Sequence, residues 1–163
     1  MPFAALFSPP KCRGRVCRAV AAHVQALLDQ APLGGNSELA VDATGVGRPV
    51  VDMLEERGLE PVAITITGGD LVTYDRGWRV PKRDVVGAVQ VLLQTDRLKF
   101  AEPIPAVATL IQELLAFRVK IDPLTAHDSY GAWREGTHDD LVLAVAVAAW
   151  RGQRWQAPPV LPG

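Results

Sequence analysis

No stretch of this chain stays apolar for the roughly 18–20 residues that a membrane crossing requires. The longest apolar run, Leu141 to Trp150, reads as a buried helix. The opening residues, Met1 to Phe7, lack the basic cluster that begins a secretory signal. Neither sign of charge is in excess: 17 Lys and Arg against 18 Asp and Glu give a formal net charge of −1. That excludes a strongly basic, nonspecific nucleic-acid binder, though not an enzyme meeting DNA through one local patch. Cysteine is scarce too. Cys12 and Cys17 would need two more ligands to hold zinc, with only His23 nearby; two thiols in a reducing cytoplasm account for them as well. Aromatic residues are few, at 6%. Tyr74, Trp78 and Trp133 are therefore isolated candidates for stacking on bases, and packing explains isolated aromatics equally.

What is present suits one globular domain. Hydrophobic residues make up 48% and charged residues 21% of 163, enough to bury a core. Residues 1–15 read as an N-terminal remnant or an irregular segment, 16–152 as the domain, and the Pro-rich 153–163 as a tail. From Val16, apolar residues recur every three or four positions to about residue 30, which predicts a helix. Residues 38–43 then read as a short buried strand, and Thr44 to Arg48 as a tight loop. Pro49 opens a helix that stops at Gly58. Residues 61–67 are β-branched and form the clearest strand. A polar connection through Tyr74, Gly77 and Trp78 leads to a helix starting near Pro81. A further helix covers 104–117, an irregular stretch follows, and the last helix ends near Trp150. The alternation predicts an α/β fold with a short, mainly parallel sheet flanked by helices.

Two acidic spots stand apart from carboxylates scattered on polar faces. Asp42 ends a predicted buried strand, where α/β sheets gather their ligands. A simpler role exists for it: accepting N–H groups from the Thr44–Gly47 turn or capping the next helix. Asp139 and Asp140 precede the apolar helix, where acids favour the helix dipole and Thr137 could be the N-cap. Carboxylates from a strand end and a helix start could instead converge on Mg²⁺ or Mn²⁺, which take oxygen ligands. Two such ions would serve phosphodiester hydrolysis. Gly45 and Gly47 offer a weaker alternative, a nucleotide cradle, without either full phosphate-binding motif. Lys11, Arg13, Arg15 and Arg18 are candidate phosphate contacts, or simply a solvated basic face.

Four motifs then form a set: Val41-Asp42-Ala43-Thr44-Gly45-Val46-Gly47, Ile64-Thr65-Ile66-Thr67-Gly68-Gly69, Val80-Pro81-Lys82 and His138-Asp139-Asp140-Leu141-Val142-Leu143-Ala144. In order and spacing, over residues 16–152, the chain resembles the nuclease domain of phage terminase large subunits. The resemblance implies an RNase H-like fold that cuts concatemeric viral DNA with two divalent ions held by three acidic positions. Asp42 matches the second position. The His-Asp-Asp segment matches the third, Asp140 ahead of Asp139, with His138, Thr44, Gly45 and Lys82 nearby. The family's first aspartate lies on an N-terminal hairpin, whereas the fifteen residues before the first helix here contain no Asp or Glu. The expectation is therefore an incomplete domain of impaired activity, or an inactive remnant contacting DNA or packaging proteins. Asp70 and Asp75 are the acids to consider as substitutes for the missing one. Implied partners are double-stranded DNA, the terminase ATPase domain, the small subunit and the portal, in the cytoplasm of a bacterial host. Residues 38–43, without their usual neighbour, should present an open edge. Either Phe3 to Phe7 fills that slot or two chains pair through it.

Overall fold

The computed structural model describes residues 3–6, 15–35, 37–101, 104–121, 128–132 and 139–154. Among these residues, seven strands and five α-helices follow one another as β1 (Phe3–Leu6), α1 (Arg15–Leu28), β2 (Glu38–Asp42), α2 (Arg48–Glu55), β3 (Val62–Thr67), β4 (Thr73–Tyr74), β5 (Trp78–Pro81), α3 (Lys82–Gln94), α4 (Val107–Ala116), β6 (Phe117–Ile121), β7 (Asp128–Ala132) and α5 (Asp140–Arg154). The main sheet has the order β1-β2-β3-β5-β4. Its first four strands are mutually parallel, and β4 runs antiparallel to β5. The fold is α/β, and its mainly parallel sheet flanked by helices is consistent with a partial RNase H-like fold.

Both faces of the sheet are covered, which is why its strands are apolar almost throughout. Side chains alternate across a strand, and β2 shows where each face goes. Leu39 and Val41 join Ala21 and Val24 of α1 and Val50, Val51 and Leu54 of α2 in one buried cluster. Ala40, between them, joins Ile64, Val80, Val85 and Val89 with Ala146, Val147 and Trp150 of α5. Helices α1 and α2 thus cover one face, α3 and α5 the other.

Of the two expected ways to cover the edge of β2, the chain takes the first: Phe3–Leu6 runs parallel along Glu38–Val41, so β1 forms the outer edge. Three expectations need correction. The polar connection before residue 81 is a hairpin, with Tyr74 opposite Trp78. Its turn uses Arg76 at φ 48° and Gly77 at φ 156°. A Cβ on Gly77 would lie 3.0 Å from the Ala63 carbonyl oxygen, so only glycine lets this turn close against β3. The irregular stretch after residue 117 contains a second hairpin, with Phe117–Ile121 antiparallel to Asp128–Ala132. Phe117 itself belongs to that strand rather than to the preceding helix. No described helix is long and apolar enough to cross a membrane.

Candidate functional site

The carboxyl ends of β2, β3 and β5 share one end of the sheet, because the three strands are parallel. Asp42 closes β2 there and is 7% exposed. Its Oδ1 accepts the Thr44 N–H at 2.8 Å, so the simple turn-closing role is realised. Among the described residues Thr44 is its one hydrogen-bond partner, leaving Oδ2 for something else. Thr44 works in both directions: its Oγ1 accepts the Ile66 N–H at 2.8 Å, which extends the β2–β3 pairing into the loop. Gly45 follows at φ 59°, in the left-handed region where a side chain is strained. Asp42 is therefore held by a backbone whose path is fixed on both sides.

The placement of α5 brings the second acidic spot to the same end. Arg151 donates through Nη2 to Glu38 Oε2 at 2.9 Å and through Nε to Oε1. That hydrogen bonding raises the Arg151 pKa above its ordinary value, against the opposing effect of burial. Glu38 begins β2, and Arg151 lies near the end of α5. At the other end of α5, Lys82 Nζ sits 3.6 Å from Asp139 Oδ2, and Lys82 directly follows the carboxyl end of β5. The helix thus runs antiparallel to β2 and is fastened at both ends. Glu38, Ala40 and Asp42 alternate onto one face, the face that α5 covers. From Glu38 to Asp42 the strand advances about 13 Å; from Arg151 to Asp140 the helix advances about 16 Å. Asp42 and the first turn of α5, which carries Asp140 and follows Asp139, therefore lie toward the same end of the sheet.

That turn is capped in an unexpected way. Leu143 N–H donates to the Asp139 carbonyl at 2.9 Å, which makes Asp139 the N-cap residue. An N-cap aspartate ordinarily accepts the next free amides with its own side chain. Here Glu113 of α4 takes them: its Oε2 accepts Leu141 N–H at 2.9 Å and Val142 N–H at 3.1 Å. The Asp139 carboxylate is released to pair with Lys82. Nothing in the motif pattern pointed to Glu113. Its sequence signal is weak: Gln112 and Glu113 are both polar within the Leu110–Leu115 stretch.

Among the described residues, no three His, Cys, Asp or Glu side chains come together as a group that could hold a metal ion. Asp70 is engaged by Arg83, at 2.7 Å, and Asp75 lies in the β4–β5 turn, at the opposite end of β5. Arg15 and Arg18 belong to α1, on the sheet face opposite the acids. Among the described residues, Lys82 and Arg83 follow the carboxyl end of β5 and so lie toward the acidic end. His138, Thr137, Lys11, Arg13 and Trp133 lie outside the described residues. Trp78 packs edge-on between Tyr74, at 5.0 Å, and Trp150, at 5.5 Å, so it is a packing residue, whereas Tyr74 is exposed. The strand order adds parallel strands in one direction, without the reversal that opens a nucleotide crevice in doubly wound sheets. The Gly45–Gly47 cradle therefore loses its architectural support. The chain matches no protein-family model, and neither a curated protein nor a solved structure is significantly similar to it.

Proposed function

We propose that this chain is a metal-dependent DNA endonuclease domain of the terminase large-subunit type, acting on phosphodiester bonds of double-stranded viral DNA in a host cytoplasm. The observation that supports the proposal is that a buried strand-end carboxylate, Asp42, and the acidic start of α5 lie toward the same end of the sheet. The donors are hard oxygens, the kind that Mg²⁺ and Mn²⁺ take. Asp42 and Asp140 would hold the ion, and Mg²⁺ commonly needs only one or two carboxylates besides water and substrate phosphate. When bound, such an ion lowers the pKa of a water and stabilises the leaving oxygen. The residues themselves set the frame: Thr44 and Gly45 fix Asp42, Glu113 fixes the start of α5, and Lys82 orients Asp139. Packing partners in this proposal are the ATPase motor domain, the small subunit and the portal.

Catalysis by the chain alone should be slow or undetectable, because the strand beside β2, Phe3-Ala4-Ala5-Leu6, brings no carboxylate. The same observation favours a second reading, an inactive module that only contacts DNA or packaging proteins. Two measurements separate them. Under the nuclease proposal Mn²⁺ stabilises the chain by about 2.7 kcal/mol at a hundred times Kd, or about 5–10 °C for this size. Asp42→Asn removes that shift, along with any nicking of supercoiled plasmid. DNA binding with no Mn²⁺-dependent shift would favour the inactive module.

A further inference from the structure

We infer that the part of the sheet left bare beyond α2 is a contact surface for the phosphate backbone of DNA, with Arg79 at its centre. The choice of DNA as partner rests on the proposed function, but the contact itself needs neither a metal ion nor turnover.

The cover that α1 and α2 provide stops at β3. Ala63 is the one described residue of that strand in their buried cluster, and no described residue of β4 or β5 joins it. On the other face the same strands are packed: Ile64, Ile66, Val72, Trp78 and Val80 all lie with α3 and α5. Side chains alternate across a strand, so Thr65, Thr73 and Arg79 point to the uncovered side. Register aligns these three. Arg79 stands opposite Thr65 on β3 and opposite Thr73 on β4, a row that crosses three strands in about 10 Å. A strand buried on both faces of a parallel sheet is apolar almost throughout. Arg79 breaks that pattern in β5, and it does so where no helix lies.

Charge and donors suit one kind of partner. Arg76 and Arg79 are exposed, and neither has a carboxylate partner among the described residues. Arg48, the first residue of α2, leans across to the β4–β5 turn, where its Nη1 donates to the Arg76 carbonyl at 3.4 Å. Its Nε meets Asp52 at 3.2 Å, so that carboxylate is already engaged. Glu55 borders a cleft that includes Arg76 but not Arg79. The row itself therefore offers hydroxyls and a guanidinium, and no negative charge. Arginine and threonine side chains are among those that hold phosphate oxygens in protein–DNA contacts. Phosphates recur about every 3.4 Å of axis along one DNA strand, so a row this long can meet more than one.

The salt dependence of affinity for a short duplex, measured on the full chain in EDTA, tests this. Log affinity falls with log salt in proportion to the phosphates contacted. Arg79→Gln should lower that slope by about one and weaken two duplexes of unrelated sequence equally. Arg79→Lys should keep the slope, and Arg97→Gln, beyond the end of α3, should leave it unchanged. Thr73→Val should weaken binding without changing the slope, and it carries the test should Arg79→Gln fail to fold by circular dichroism. An unchanged slope in Arg79→Gln, or no binding by the wild-type chain, overturns the inference and leaves the nuclease proposal to the Mn²⁺ shift. Polyglutamate that binds as well as the duplex, and loses as much in Arg79→Gln, would assign the face to an acidic protein and overturn it too. An Arg79-dependent slope without any Mn²⁺ shift sustains the inference and removes the nuclease proposal.

Discussion

Asp42 serves two purposes that substitution can separate. Its Oδ1 closes the turn through Thr44 N–H, and an asparagine oxygen can do the same. Asp42→Asn should therefore melt close to the wild-type temperature while losing stabilisation by Mn²⁺. Asp42→Ala leaves a mostly buried turn without its acceptor and should cost about 1–3 kcal/mol, read by urea unfolding. Equal destabilisation by Asn and Ala would show that charge, and not hydrogen bonding, anchors the turn. Gly45→Ala, at φ 59°, should cost about 1–2 kcal/mol through left-handed strain. These residues were legible in the sequence because a strand-end acid followed by Thr-Gly is a local pattern. Glu113 was not legible, since its partners Leu141 and Val142 lie 28 and 29 residues away. Only the packing of α4 against α5 brings them together.

At the level of elements, α5 starts on borrowed capping. Hydrogen bonds to a charged acceptor contribute about 1.5–3 kcal/mol each, so Glu113→Ala should destabilise the fold by at least that much, whereas Glu113→Gln, which retains an acceptor, should lose less. Hydrogen exchange should localise the effect to the first turn of α5, and uniform loosening of the whole chain would contradict the capping role. Helices α1, α3, α4 and α5 and strands β2 and β3 could be read from apolar spacing, and α2 from Pro49 at its start and Gly58, at φ 77°, beyond its end. The hairpins could not. Strand β4 spans only Thr73–Tyr74, too short for any period to register. Strand β6 alternates Phe117-Arg118-Val119-Lys120-Ile121, but Phe117 also continues the helical spacing of α4, and the two patterns overlap at that residue.

For the whole molecule, the strand with least local support has the largest task. Phe3–Leu6 shields β2, and removing residues 1–8 would uncover the backbone groups of Glu38–Val41. Exposed edges recruit other strands, so the shortened chain should self-associate while the full chain stays monomeric, as judged by light scattering. Two monomers of equal stability would mean that the edge of β2 needs no cover.

The double fastening of α5, by Arg151 on Glu38 and by Lys82 on Asp139, makes the helix a gauge block. A rod clamped at both ends cannot slide along its groove, and the smallest slip that keeps its ridges seated is one turn, about 5.4 Å. The distance between Asp42 and Asp140 is thus set partly at the far end of the rod, by a guanidinium with no part in any chemistry. Arg151→Glu alone should loosen Mn²⁺ binding from that remote end, and the exchange of charges in Glu38→Arg with Arg151→Glu should restore it.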